Sequence, residues 1–248
     1  MTFKRHHWLV VSICLFLFSF ITLGIAGVWS VGSTDRMLTD AVPALRGPFL
    51  NEIMLIITAL GNSHFLIFVA VLTIGALIAA RAWKEATVFG LAFGVMPILV
   101  KLLKSAIARP RPTIDLYGGV ESFSFPSGHA TNAALIYGAL ALLSLESFRG
   151  PRGRYLAAAF ALLAIMIALS RIYLGAHWPS DVLAGVALAG LMLTGMAALT
   201  ENDRLPGATR YIPVALVMLT AVFPLYLYIA LPDARDIYTA LHMPEGSP

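Results

Sequence analysis

The stretch Arg154–Leu199, RYLAAAFALLAIMIALSRIYLGAHWPSDVLAGVALAGLMLTGMAAL, decides the fold. It holds two apolar runs, 154–173 and 179–199. Each reaches the roughly 20 residues a helix needs to cross a bilayer. Between them Arg171, His177 and Asp181 crowd together, and Pro179 suits the first turn of the second helix. Two consecutive spans form a hairpin, so the end of one and the start of the next share one membrane face.

The same logic extends outward. Apolar runs at 8–29, 63–81, 86–106, 128–147 and 211–231 complete the set. The fold class is therefore all-α, a polytopic transmembrane helical bundle of six core spans plus a seventh at 211–231. Residues 1–248 read as a single integral-membrane domain. Residues 50–61, LNEIMLIITALG, are apolar but short, either an interfacial helix or an early turn of the second span. Composition agrees: 59% of the 248 residues are hydrophobic and only 12% charged, against about a quarter charged in soluble domains. The first run follows Lys4 and Arg5 as a signal peptide would, but exceeds the about 7–15 apolar residues of one, and reads as a retained helix. The lone cysteine, Cys14, allows no internal disulfide.

Orientation follows from the cations of short loops. Lys4, Arg5, Arg81, Lys84, Arg149, Arg152, Arg154, Arg204 and Arg210 fall on one side, which is thereby cytoplasmic. On the opposite side Lys104, Arg109, Arg111 and Arg171 run against the positive-inside trend, packed at helix ends. Cations kept against topology mark function by default. Parity then puts four helix ends, near Lys104, Ser127, Arg171 and Asp181, on that one face.

Each polar cluster has its own chemistry. In KSAIARPRP, Lys104–Pro112, the prolines end a helix, and a flexible ammonium and a planar guanidinium flank one anion site. Snorkelling to headgroups accounts for such cations equally well, and for Lys101 and Arg109 snorkelling or a structural role is the expectation. In FPSGHA, Phe125–Ala130, Ser127 is a natural N-cap and Gly128 lets an oxygen approach free backbone N–H groups. His129 sits in the first turn beside them. In the opening stretch, Asp181 can accept a proton from Nδ1 of His177, which leaves Nε2 as a nucleophile. Two histidines and one carboxylate are present, but the three cations beside them would repel a divalent metal. A polyoxygen anion is the better ligand, with no metal and no cofactor expected.

Lys104-x6-Arg111-Pro112, Pro126-Ser127-Gly128-His129 and Ser170-Arg171-x5-His177-x3-Asp181 resemble, in order and spacing, the tripartite signature of the type 2 phosphatidic acid phosphatase (PAP2) superfamily. This signature region covers 104–181. The resemblance implies a phosphohistidine mechanism: His177 as nucleophile, Asp181 orienting it, and His129 as general acid and then base. Lys104, Arg111, Ser127, Gly128 and Arg171 would hold the phosphoryl oxygens. It also implies a hydrolase acting on phospholipid or other membrane-lipid phosphates, with a lipid partner and no nucleic acid. Phosphatidylglycerophosphate, phosphatidic acid, undecaprenyl pyrophosphate and lipid A phosphates all fit. The expected setting is a bacterial inner membrane with the site facing the periplasm. Phosphotransfer to another lipid, or transport of an anion, would use the same cations. Members of the superfamily have six spans, so the stretch at 211–231 departs from the pattern.

Overall fold

The computed structural model describes residues 4–112, 119–148, 150–200 and 208–238, with backbone only for 119–120 and 208–220. Every regular element among them is helical: α1 (Arg5–Ile25), α2 (Gly32–Ala41), α3 (Pro48–Ala59), α4 (Ser63–Ala79), α5 (Trp83–Ile107), α6 (Gly128–Ser147), α7 (Pro151–Tyr173), α8 (Pro179–Thr200) and α9 (Ala208–Ile237). Short 3₁₀ turns lie at Val42–Leu45 and Gly119–Ser122.

Local sequence sets the starts. Pro48 and Pro151 occupy the first turns of α3 and α7, where a missing N–H costs nothing. Asn62 caps α4 by accepting from the His64 N–H, and Ser127 caps α6 by accepting from the Ala130 N–H. α5 stops where Ala108 turns left-handed, φ 48° and ψ 38°, just before Pro110.

Helices α1, α5, α6, α7 and α8 are each long and apolar enough to cross a membrane, which makes this an integral membrane protein. The short apolar stretch at 50–61 is α3, bent by 45° against α4 at a break of a few residues, and the pair together has the length of one further span. The stretch at 211–231 lies within α9, which packs on α3 and α4. Of its side chains, those up to 220 lie outside the described residues, as do Arg149 and Arg204.

α6 is the most enclosed of the five long helices. It packs against α7 and α8, and α1 packs on α8. Phe89, Met96, Leu135, Leu143 and Ile167 belong to the main core. Lipid tails are as apolar as these side chains, so helices in a membrane gain by close fit, which small residues permit. Gly185 of α8 lies so near the start of α6 that a Cβ would stand 2.5 Å from Thr131 Oγ1 and 3.1 Å from the Ser127 carbonyl oxygen. That contact ties the first turns of α6 and α8, which carry His129 and Asp181.

Candidate active site

The C-terminal ends of α5 and α7 and the N-terminal ends of α6 and α8 meet at one end of the bundle. Lys104, in the last turn of α5, is 2% exposed. Its ammonium donates to the Phe123 carbonyl and lies 3.7 Å from the Glu121 carboxylate. Arg111, beyond the helix end, donates to the carbonyls of Ser122, Ala176 and Glu121. Arg171, in the last turn of α7, is 1% exposed and donates to Thr58 Oγ1 at 2.7 Å. Its guanidinium also lies over the Tyr238 ring, 5.9 Å from the centroid. The upper part of the bent α3–α4 pair thus holds one of the three cations.

His177 lies in the tight connection between α7 and α8, where its own N–H bonds back to the Arg171 carbonyl. Its ring Nε2 is 3.2 Å from Nη1 of Arg111. A guanidinium only donates, so Nε2 accepts and the ring proton belongs on Nδ1. Burial, and then the charges of Arg111, Arg171 and Lys104, hold the imidazole well below its ordinary titration range. It is therefore a neutral base with its lone pair on the side of the cations.

Asp181 Oδ2 lies 3.7 Å from His177 Nδ1, beyond hydrogen-bond length. Sequence reasoning pairs Asp181 directly with His177. The structure ties the carboxylate elsewhere: Oδ2 accepts from the Trp178 N–H at 3.0 Å, and Oδ1 accepts from Arg109. The physical reason is that Asp181, in the first turn of α8, caps its own helix.

Ser127 is fully buried. Its hydroxyl faces the Ala130 N–H at 3.5 Å, and its N–H donates to the Asp181 carbonyl at 3.1 Å. Gly128 and His129 follow on the open side. A Cβ on Gly128 would find only Val100 within 4 Å, at 3.7 Å, so the approach to the helix start is clear.

A cavity of about 160 Å³ lies among these groups, lined by Lys104, Arg111, Gly128, His129, Arg171 and His177. Ser127 and Asp181 are outside its lining, in the layer behind. Ser63, Lys101, Glu121 and Asn132 also line it. Sequence reasoning leaves these four out: none belongs to a motif, and Lys101 reads as a snorkelling cation. Arg109, expected to snorkel or to be structural, is instead seen paired with Asp35 and Asp181, partners not visible in any spacing. A site with three cations, a neutral imidazole aimed at them and a free helix start can bind a tetrahedral oxyanion and attack it.

Residues 85–205 match the PAP2 superfamily. The chain is 35% identical over 184 residues to phosphatidylglycerophosphatase B of Bacillus subtilis, which covers 73% of this chain and 90% of the relative. It is 40% identical over 103 residues to a lipid A 1-phosphatase of Rhizobium etli, covering 38% of this chain and 40% of the relative. It is 27% identical over 188 residues to an undecaprenyl-diphosphatase of Sulfolobus acidocaldarius, covering 73% and 85%. Its fold is similar to the crystal structure of the transmembrane PAP2-type phosphatidylglycerolphosphate phosphatase from Bacillus subtilis, with a TM-score of 0.69 and 31% identity over 78% of this chain and 96% of the other. On the strength of a relative so similar over nearly its whole length, the chain belongs to the PAP2 superfamily.

Proposed function

We propose that this membrane phosphatase removes the terminal phosphate of a lipid phosphate or pyrophosphate through a phosphohistidine, without a metal. One observation carries the reading: Lys104, Arg111 and Arg171 surround the same small cavity as His129 and His177, and Arg111 marks Nε2 as the ring nitrogen with the free pair.

The chemistry follows from those positions. The Nε2 lone pair attacks phosphorus, and the bond from phosphorus to the lipid oxygen breaks in line. Arg111 exchanges its contact with Nε2 for a phosphoryl oxygen as the substrate enters. His129 enters the cycle protonated, favoured by the bound phosphate anion, and gives that proton to the departing oxygen, so the alcohol leaves neutral. The imidazole becomes cationic as the N–P bond forms, and Asp181 behind it offsets that charge. In the second step His129 takes a proton from water, whose oxygen attacks phosphorus, and the N–P bond breaks to release phosphate and neutral His177. The three cations and the Gly128 N–H stabilise the equatorial oxygens, where charge builds in the transition state. They supply what a divalent ion supplies elsewhere, and their own charge opposes one here.

Substrates enter from the bilayer, with the phosphate at the helix ends and the chains between helices. Phosphatidylglycerophosphate is the first candidate headgroup, since the relatives of greatest coverage are phosphatases of that lipid. The cations that oppose the positive-inside trend support an outward-facing site, the periplasmic face of a bacterial inner membrane. Phosphate release from a panel of purified lipid phosphates in detergent tests the activity. His177→Ala should abolish release and labelling by ³²P-substrate while the protein still inserts. Turnover near that of the parent would remove His177 as nucleophile.

A further inference from the structure

Behind His177, Asp181 is continued by two charged groups that the mechanism above does not use, Arg109 and Asp35. Asp35, on the short helix α2, is 1% exposed. Its Oδ1 accepts from the Ser180 N–H at 3.0 Å, and its Oδ2 accepts from the Ser180 hydroxyl and, at 2.6 Å, from Nη2 of Arg109. The other arm of the same guanidinium, Nη1, donates to Asp181 Oδ1 and to Ser180 Oγ. The Arg109 guanidinium lies over the Trp178 ring, 5.6 Å from its centroid. One arginine therefore bridges two buried carboxylates, and the second of them stands behind His177.

Charge decides what such a row does. The imidazole turns cationic when Nε2 attacks, and Lys104, Arg111 and Arg171 oppose that on its front side. Glu121, 3.7 Å from Lys104, and the arriving phosphate offset part of that charge at the front, and carboxylates at the back add to the offset. Arg109 paired with Asp181 alone would be neutral and give His177 little field. Adding Asp35 makes the group net −1: two carboxylates against one guanidinium. A buried pair that lost one partner would also leave a charge uncompensated. We propose that Asp35 and Arg109 are positioning residues of the reaction: Arg109 fixes the Asp181 carboxylate, and Asp35 absorbs the arginine's charge so that Asp181 keeps its own for His177.

The inference rests on His177 as nucleophile. A mere anchor of α2 onto α8 would need the hydrogen bonds of Asp35 but not its charge, and Asp35→Asn separates the two. The test measures kcat and KM of the full chain in detergent micelles, with dioctanoyl phosphatidic acid or, where faster, undecaprenyl diphosphate. Asp35→Asn should lower kcat by about 10- to 100-fold and leave KM within a few fold. Asp35→Asn combined with Arg109→Gln restores the net charge behind His177, and should recover kcat by about tenfold over Asp35→Asn alone, a coupling of ordinary size for residues in contact. Losses that simply add, or a single variant with the parent's kcat, would overturn the proposal. Should Asp35→Asn alone fail to insert, the charge-balanced double variant is compared with the parent: kcat within about tenfold upholds the proposal, and a larger loss overturns it. His177→Ala in the same assay keeps the two questions apart. If that variant still turns over, the nucleophile is misassigned; if it is dead while Asp35→Asn is unimpaired, the positioning row alone is wrong.

Discussion

Gly185→Ala places one methyl group where α8 meets the start of α6, and its consequence can be worked from distances. The new Cβ would sit 2.5 Å from Thr131 Oγ1, 3.1 Å from the Ser127 carbonyl oxygen and 3.5 Å from the Thr131 nitrogen. Ordinary contacts begin near 3.5 Å, so the hydroxyl is too close by about 1 Å. Thr131 cannot simply swing away, because its Oγ1 holds the Ser127 carbonyl at 2.7 Å. The Ser127 oxygen belongs to the backbone and moves only with the helix. α8 must therefore back away from α6 by a good fraction of an ångström.

That shift reaches the chemistry directly. Asp181 is one turn before Gly185 on α8, His177 precedes that helix, and His129 is in the first turn of α6. Misplacing catalytic groups by about 1 Å costs about 100-fold even from a distance. The expected loss in kcat/KM for phosphate release is about 10- to 100-fold. Overpacking of this kind also costs about 1–3 kcal/mol of stability, read as a lowered Tm in detergent. Gly195→Ala, on the same helix with nothing within 4 Å of the added Cβ, is the control and should retain the parent's activity. Adding Thr131→Ala to Gly185→Ala removes the 2.5 Å contact and should recover part of the loss. Parent-like kcat/KM in Gly185→Ala with no gain from the second change would show that the α6–α8 spacing does not set the site's geometry.

Two further expectations concern the histidines. Because burial and the neighbouring cations keep His177 neutral, the acid limb of phosphoenzyme formation should fall below the ordinary histidine value of about 6.5. Arg111→Met removes one cause of that depression and should move the limb upward, toward 6.5 but not past it. The unfolded chain binds the proton first, so this group's contribution to stability is full above about pH 6.5 and is lost as pH falls from there toward the folded-state value; the His177→Ala protein should show a shallower decline of Tm over that range. His129→Ala should slow the release of lipid alcohols far more than that of a good leaving group such as nitrophenolate, because only the former need a proton. Equal losses on both substrates, measured as kcat/KM, would exclude His129 as the acid.

How far the molecule is legible from its sequence depends on what kind of information places each group. Helix ends are written locally: the expected spans 86–106, 128–147, 154–173 and 179–199 lie within a few residues of α5, α6, α7 and α8. Apolar length, prolines and the Ser127 cap fix them, and hairpin parity then forces Lys104, His129, Arg171 and His177 to one end. The same local signals leave the bend between α3 and α4 open, since a twelve-residue apolar run has no length of its own to decide whether it spans. The layer behind His177 is different in kind. Helix α2 carries both Asp35 and Asp40, one buried at 1% and one exposed, and nothing in GSTDRMLTDA distinguishes them. What holds Asp35 are Arg109, 74 residues away, and Ser180, 145 residues away. Arg109 and Arg111 are two apart, a spacing that shares one face on a regular strand, yet their side chains go to different partners: Arg111 to Nε2 of His177, and Arg109 to Asp181 and Asp35. Under the proposed mechanism, Arg-Pro-Arg-Pro divides its charge between two tasks, one guanidinium for the arriving phosphate and one for the carboxylate that answers it. A motif records the first because phosphate chemistry dictates the residue. The second depends on a partner from another helix, and only the folded chain supplies that.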